Sequence, residues 1–187
     1  GSEMCIRDRL SYFCREITGI DHEVSLGKLE RRAAGIDNIH CVSGNFLDVS
    51  LEQKYDKIII YSVLHYLSDI SEVITFCAKA VDALNEGGRL LIGDLPNVSK
   101  RERFKASDKG KAFDSDWAKK PIAEKSEAEL ALMKEIIEDK NLVRFDDDSV
   151  LELVGAMRKL NCEAYLVAQM QGLPFNFTRE DIVVYKV

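Results

Sequence analysis

Side chains that could bind or react lie at the ends of short apolar runs in this sequence. Asp21, Ser62 and Asp94 each close such a run, and His65 follows three residues after Ser62. A carboxylate can accept hydrogen bonds from both hydroxyls of a diol, and an imidazole that titrates near neutral pH can remove a proton from a hydroxyl. Because the carboxyl ends of parallel strands meet at one edge of a sheet, the sequence predicts a binding and proton-transfer site along that edge.

The apolar runs alternate with helix-like segments, which is typical of a parallel α/β sheet with crossover helices. The predicted strands comprise residues 17–21, 39–43, 55–62 and 89–94, followed by an antiparallel pair at 162–170 and 181–187. The unbroken β-branched run 58–60 predicts a central strand buried on both faces. Helices are predicted at residues 10–14, 25–34, 69–84 and 127–139, and from Asp147 or Asp148 to about residue 160, with Val150, Leu151, Val154 and Met157 facing inward. Gly87 and Gly88 are interpreted as the stop of helix 69–84.

Composition limits the classes of protein and partner. The 187 residues are 46% hydrophobic and carry a formal net charge of -6, which is typical of one globular domain without general affinity for nucleic acid or anionic membranes. No apolar run reaches the roughly 18 residues of a membrane helix. Five scattered cysteines without a C-x-x-C spacing predict reduced thiols and a cytoplasmic location, and three dispersed histidines predict no metal site.

The two least regular segments are interpreted separately. Residues 1–9 have no apolar period and are interpreted as an adapter-like artefact or a disordered N-terminus, with a natural frayed terminus as the alternative. Residues 10–187 are predicted to form one domain, in which the charged segment 97–148, with Phe113 and Trp117, is a lid over the site. Its basic run 100–105 either binds phosphate through clustered guanidinium groups or is a solvated helix face.

The order of these motifs resembles class I S-adenosylmethionine-dependent methyltransferases, especially the branch that acts on small molecules. The resemblance is carried by the strand ending at Asp21, by the residues after the next two strands, and by Gly87 and Gly88 ahead of strand 89–92. It implies a Rossmann-like sheet, mostly parallel with an antiparallel last strand, and S-adenosyl-L-methionine as cofactor. The first strand and glycine-rich loop of that family are missing, so the chain is expected to be a truncated fragment that is poorly stable, binds cofactor weakly and is itself inactive.

The resemblance also assigns roles to residues. The implied cofactor-binding residues are Asp21, His22, Gly44, Asn45, Phe46, Tyr61 and Ser62. Asp21 would hold the ribose hydroxyls, and its alternative is a helix-capping aspartate. Asn45 replaces the family's commoner aspartate and would accept a hydrogen bond from the adenine amino group, while Phe46 would pack on the ring. The alternative for this pair is an ordinary turn with Phe46 in the core.

His65 is the predicted catalytic residue, as the base that takes a proton from the acceptor, and its alternative is a packed structural histidine. Asp94 is a candidate for the substrate side. The predicted function is methyl transfer to an oxygen or nitrogen of a small polar metabolite or sugar. An NAD-dependent oxidoreductase of Rossmann fold remains an alternative, because Asp21 would also suit the ribose of NAD, although no Tyr-x-x-x-Lys pair is present. The other alternative is a non-catalytic methyltransferase-like scaffold.

Overall fold

The computed structural model describes residues 10–117, 142–173 and 175–187. The chain divides into two compact units, Gly1–Glu52 and Gln53–Val187. Each unit contains its own hydrogen-bonded sheet, of two strands in the first and four in the second.

The first unit is a strand–helix–strand motif. Strand β1 (Ile17–Asp21) pairs in parallel with β2 (Ile39–Ser43), and helix α1 (Glu23–Ala33) connects them. Leu26 and Leu29 of α1 are buried, because helical spacing places them on one face. Both strands are as predicted, and α1 begins two residues earlier than predicted. Leu10 is helical and residues 11–13 form a turn. The Phe13 side chain, predicted to lie on the apolar face at the end of a helix, is 86% exposed.

The second unit contains a mixed four-stranded sheet. Its strands are β3 (Tyr55–Tyr61), β4 (Leu84–Pro96), β5 (Cys162–Ala168) and β6 (Arg179–Lys186), in the order β3-β4-β6-β5. Strands β3 and β4 are parallel, whereas β6 is antiparallel to both of its neighbours. Together with the parallel pair of the first unit, this confirms the predicted Rossmann-like α/β fold with an antiparallel last strand.

The core of the second unit lies between one face of its sheet and two helices. The helical segments are a 3-10 turn (Leu64–Tyr66), α2 (Ile70–Asp82), α3 (Val98–Ala106), α4 (Asp108–Trp117) and α5 (Asp147–Lys159). Apolar residues of α2 and α5 are buried with the inward residues of β4 and β6: Val73, Cys77, Val81, Val150, Leu153, Met157, Leu90, Ile92, Ile182 and Val184. None of the described helices is both long and apolar enough to cross a membrane.

The prediction that β3 is buried on both faces is wrong. Ile60 is 6% exposed, whereas the preceding residue, Ile59, is 50% exposed. Successive side chains of a strand point to opposite faces, and helices α2 and α5 pack on one of them. The other face of the sheet carries Tyr165 and Tyr185, which are also exposed, so the β-branched run reflects strand propensity rather than burial on both sides.

The prediction that Gly87 and Gly88 stop helix α2 is wrong. The helix ends at Asp82 with Ala83 as its C-cap, and both glycines lie within β4. Tyr55 and Lys57 of β3 pair with Leu84 and Arg89, so residues 85–88 form a bulge. Gly87 has φ 72°, and a Cβ at Gly88 would lie 2.7 Å from the Asn85 carbonyl oxygen. The glycine pair is therefore required by the bulge.

The segment before α5 differs in detail from the prediction. Asp146, rather than Asp147 or Asp148, is the N-cap of α5, and its carboxylate accepts a 2.9 Å hydrogen bond from the backbone N–H of Ser149. Leu151, predicted to face inward, is 58% exposed. Helix α4 was not predicted, and α3 was predicted only as the solvated helix face that is one interpretation of residues 100–105. The predicted helix 127–139 lies outside the described residues. The assignment of residues 97–148 as a lid stays a prediction.

Candidate active site

The first unit brings the predicted residues of its two strand ends together. The backbone N–H of Gly44 donates to the carbonyl oxygen of Asp21 over 3.1 Å, so the chain turns beside β1 as it leaves β2. Asp21 Oδ1 accepts a 2.8 Å hydrogen bond from the backbone N–H of His22. His22, and not Asp21, is the N-cap of α1, and its side chain makes no capping bond. Asp21 therefore lies one residue before the N-cap position, and its role as a ribose-binding residue stays a prediction.

Gly44 allows the sharp turn at the end of β2. Its φ of 144° lies where side chains are rarely tolerated, and a Cβ there would be 3.0 Å from Val49 Cγ2. Asn45 then forms a turn, since its Oδ1 accepts from the backbone N–H of Leu47 over 3.1 Å. Asn45 is exposed and Phe46 is half-buried. The turn predicted as an alternative is present, and it leaves the Asn45 amide at the surface with a second lone pair on Oδ1.

In the second unit, a hydrogen bond joins the carboxyl ends of β3 and β4. Ser62 Oγ donates to Asp94 Oδ2 over 2.5 Å, and the Ser62 backbone N–H donates to the Gly93 carbonyl oxygen over 3.2 Å. Ser62 and Asp94 have φ values of 56° and 61°, a left-handed conformation that is uncommon for residues other than glycine. Backbone conformations of this kind cluster at functional sites. The carboxyl ends of β3 and β4 are therefore a candidate functional site.

Three residues that the sequence analysis did not assign complete this site. The side-chain amide of Gln169 donates through Nε2 to Tyr61 Oη at 3.2 Å, and to Asp94 Oδ1 and Asp181 Oδ1, both at 3.4 Å. Asp181 Oδ1 also accepts from the backbone N–H of Asp94 over 2.9 Å, and Arg179 Nε lies 3.6 Å from Asp94 Oδ1. We call the following residues the polar cluster: Tyr61, Ser62, Asp94, Gln169, Arg179 and Asp181.

Strand direction explains why the polar cluster forms. Strand β5 runs in the same direction as β4, since both are antiparallel to β6. The end of β5, followed by Gln169, and the start of β6, with Arg179 and Asp181, therefore lie at the same edge as the ends of β3 and β4. The charged triplet Arg179, Glu180, Asp181 ahead of an apolar run was the available signal in the sequence.

His65 lies beside this edge, in the 3-10 turn after β3. Its ring centroid is 4.1 Å from that of Tyr66. Burial lowers the pKa of His65 below its ordinary value, the positive charge of Arg179 lowers it further, and the Asp94 carboxylate partly opposes both. The imidazole is therefore neutral at pH 7 and is in the form that can accept a proton.

The basic run of α3 is occupied with structural contacts. Lys100 Nζ donates to the Arg179 carbonyl oxygen over 2.7 Å and lies 3.4 Å from Glu180 Oε1. Arg103 forms two hydrogen bonds with the Asp147 carboxylate, at 2.5 and 3.1 Å. These contacts connect α3 to β6 and α5, and they favour the helix-surface interpretation of residues 100–105 over a phosphate site.

Two other features of the described residues carry no site chemistry. A groove of about 420 Å³ lies on the open face of the sheet, and its lining residues, none of them in the polar cluster, are Glu163, Tyr165, Val167, Val183 and Tyr185. Within residues 10–117, 142–173 and 175–187, no three His, Cys, Asp or Glu side chains are grouped so that they could hold a metal ion.

Comparison of the sequence with known proteins gives a curated relative that matches part of the chain. No protein-family model matches the sequence. Nodulation protein S of Rhizobium fredii is 24% identical over 102 residues, which cover 54% of this chain and 58% of that protein. The chain therefore spans somewhat more than half the length of this curated relative.

Solved structures resemble the chain over nearly its whole length. N-methyltransferase NodS from Bradyrhizobium japonicum WM9, in complex with S-adenosyl-L-homocysteine, gives a TM-score of 0.56 at 16% identity and covers 96% of this chain and 70% of its own. Magnesium protoporphyrin IX methyltransferase from Synechocystis PCC 6803, with the same molecule bound, gives 0.59 at 11% identity, with 96% and 68% covered. The pyocyanin biosynthetic protein PhzM gives 0.53 at 12%, with 92% and 43% covered. The fold is thus that of the S-adenosylmethionine-dependent methyltransferases, as the resemblance predicted.

Proposed function

We propose that this protein transfers a methyl group from S-adenosylmethionine to an oxygen or nitrogen of a small polar metabolite or sugar. The observation that carries this proposal is the polar edge of the four-stranded sheet, in a fold whose solved representatives hold S-adenosylhomocysteine. Ligands of open α/β sheets bind beyond the carboxyl ends of the strands. In this chain, that edge carries a neutral imidazole, a strained Ser62–Asp94 pair and an arginine.

The chemistry of the predicted cofactor residues fits S-adenosylmethionine. The Asp21 carboxylate only accepts hydrogen bonds, which suits two ribose hydroxyls, and the exposed Asn45 amide can accept from the adenine amino group. Phe46 would pack on the adenine ring, and Tyr61 and Ser62 would contact the methionine part. When bound, the cofactor supplies a methyl group on a positively charged sulfur, which a lone pair of the acceptor displaces.

The protein's own contribution is to position the acceptor and to remove its proton. His65 would take that proton on its neutral imidazole. The Asp94 carboxylate raises the pKa of His65 against the effect of burial, so it would stabilise the imidazolium ion once formed. Tyr61, held by Gln169 over 3.2 Å, would form part of the wall that excludes water. No catalytic triad is required, because displacement at an activated carbon depends chiefly on alignment.

The test uses the protein expressed from its complete reading frame. Calorimetric titration with S-adenosylhomocysteine and with NAD is expected to give binding of the first and none of the second. Incubation with methyl-labelled cofactor and a panel of small amines, alcohols and sugars is expected to give labelled product that depends on the protein. Binding of NAD in place of S-adenosylhomocysteine would support the oxidoreductase alternative, and cofactor binding without transfer to any acceptor would support the scaffold alternative.

A further inference from the structure

Tyr61 and Gln169 meet across the carboxyl edge of the four-stranded sheet. Tyr61 ends β3 and Gln169 follows β5, and these strands are not neighbours, because β4 and β6 lie between them. The Tyr61 ring lies over Gly93 of β4, where a Cβ would be 2.4 Å from the ring atom Cδ2. The Gln169 amide donates to Tyr61 Oη over 3.2 Å. One hydrogen bond therefore connects residues from the two outer strands of this sheet.

The same amide nitrogen of Gln169 also faces two carboxylates. Nε2 lies 3.4 Å from Asp94 Oδ1 and 3.4 Å from Asp181 Oδ1. An amide NH₂ group offers two hydrogens and carries no charge, so it can donate to these oxygens without adding positive charge to the cluster. A glutamate at this position would repel both carboxylates. Gln169 therefore connects the Tyr61 hydroxyl to the Asp94 carboxylate through one neutral group.

Two features of this arrangement are locally unfavourable. Gln169 is 5% exposed, and its Oε1 is buried without a hydrogen-bond partner in the described residues, which costs free energy. Asp94 has a φ of 61°, and a residue other than glycine stays in such a conformation only where surrounding contacts hold it. A side chain that merely filled space, such as methionine, would avoid the unpaired oxygen. The amide at position 169 is therefore explained by what its N–H groups hold in place.

We infer that Gln169 is a positioning residue for methyl transfer, which holds the Tyr61 ring and the Asp94 carboxylate in one fixed arrangement. This inference rests on the proposed methyltransferase function and adds a residue to the same site. Tyr61 is predicted to contact the methionine part of the cofactor, and Asp94 is the candidate for the substrate side. Gln169 acts through these two side chains and is not required to touch either ligand.

Alignment is the reason why such a residue affects the rate. In methyl transfer the lone pair of the acceptor must approach the methyl carbon in line with the breaking carbon–sulfur bond, and a displacement of about 1 Å can lower the rate about 100-fold. Without the Gln169 amide, the Tyr61 hydroxyl and Asp94 Oδ1 lose a common donor, so the cofactor side and the substrate side of the site can move independently. The loss is therefore expected in kcat more than in the stability of the fold.

The first test is Gln169→Met in the protein from its complete reading frame, since methionine has a similar length and no donor. The measurements are kcat, with methyl-labelled S-adenosylmethionine and the acceptor of the panel that gives most product, and the urea midpoint. We expect kcat to fall about tenfold or more, with the midpoint unchanged, because the substitution removes the unpaired Oε1 together with the donor. Gln171→Met, at an exposed position two residues further on, should leave both values unchanged.

The two measurements separate the possible outcomes. An unchanged kcat in Gln169→Met, with or without a lower urea midpoint, would mean that Gln169 is structural. That result would overturn the inference and leave the proposed function standing. Absence of methyl transfer by the unaltered protein would overturn both.

The second test is a double-mutant cycle with Tyr61→Phe, which keeps the ring and removes only the hydroxyl that Gln169 holds. If Gln169 acts through this hydroxyl, Gln169→Met should lower kcat by a factor at least about threefold smaller in the Tyr61→Phe protein than in the unaltered one. Effects that simply multiply would overturn the inference, because they would mean that the two side chains act independently. If Gln169→Met does not fold, Gln169→Glu, which also removes the NH₂ donor, gives the same cycle and the same two outcomes.

Discussion

His65 has surroundings that disfavour the imidazolium ion. Burial is the largest cause of its lowered pKa, and the positive charge of Arg179 is the second. A base whose pKa is lowered below its ordinary value is mostly unprotonated at neutral pH, so it can accept a proton without first losing one. The same environment would leave a purely structural histidine neutral, which is why the pH dependence of the reaction separates the two interpretations.

We expect the acidic limb of kcat/KM to fall below pH 6.5, because the lowered pKa of His65 keeps the imidazole neutral down to that range. Replacing Arg179 with Gln removes a cause of the lowering, so the limb should move to higher pH. His65→Gln should remove the limb and lower kcat/KM about 100-fold or more. Arg101→Gln, at an exposed position of α3, is the control and should leave the profile unchanged. A limb that persists in His65→Gln would contradict the assignment of His65 as the base.

The residues at the ends of β3 and β4 could be placed from sequence, since a strand followed by polar residues is a local pattern. Ser62, His65 and Asp94 were predicted in this way. Gln169, Arg179 and Asp181 were not, because their approach depends on β6 inserting between β4 and β5 in the antiparallel direction. That pairing is a long-range property, and no local motif specifies it.

At the scale of elements, close packing of β3 on β4 positions Tyr61. A Cβ at Gly93 would lie 2.4 Å from Cδ2 of the Tyr61 ring, which is shorter than any normal contact. We expect Gly93→Ala to lower the free energy of unfolding in urea by about 1–3 kcal/mol, because overpacking forces the ring or the strand to move. Its displacement should also weaken the hydrogen bond between Tyr61 and Gln169.

Gly155 in α5 is the matched control, since a Cβ there would meet nothing within 4 Å. Gly155→Ala should raise the free energy of unfolding by about 0.5–1 kcal/mol, through the higher helix propensity of alanine. Equal effects of the two substitutions would contradict the packing of Tyr61 on Gly93.

Two leucines of α5 test its inward face, for which Val150, Val154 and Met157 were predicted correctly and Leu151 was not. Leu153 is fully buried and Leu151 is 58% exposed. In urea unfolding, Leu153→Ala should cost about 2–5 kcal/mol, as deletion of a buried side chain does, whereas Leu151→Ala should change stability by about 0.5 kcal/mol or less. The reverse order would place Leu151 on the inward face, as the sequence predicted.

Elements with strong local patterns were predicted well, and those decided by context were not. All six strands of the described residues were predicted, because β-branched and apolar runs separated by turns are distinctive. Helix α3 has four basic residues and no buried side chain, so it lacks an apolar stripe to detect. Gly87 and Gly88 were assigned to a helix end because a β-bulge and a helix C-terminus both favour glycine, which adopts positive φ without strain.

At the scale of the whole molecule, both units contain parallel strands with a partner on one side only among the described strands. In the first unit these are β1 and β2, which pair with each other, and in the second it is β3, which pairs with β4. A strand edge leaves backbone N–H and C=O groups without partners. The expectation that the 187-residue chain alone is poorly stable and binds cofactor weakly therefore stays a prediction, and micromolar affinity of this chain for S-adenosylhomocysteine would contradict it.

The most direct measurement of the central claim is the dissociation constant of S-adenosylhomocysteine, by calorimetry, for the protein from its complete reading frame and for its Asp21→Asn variant. We expect binding that weakens about tenfold or more in the variant, because the amide replaces one of the two acceptor oxygens of the carboxylate with an N–H donor. Asp37→Asn, at an exposed position outside the strands, should bind like the unaltered protein. Absence of binding, or equal affinity in Asp21→Asn, would contradict the account.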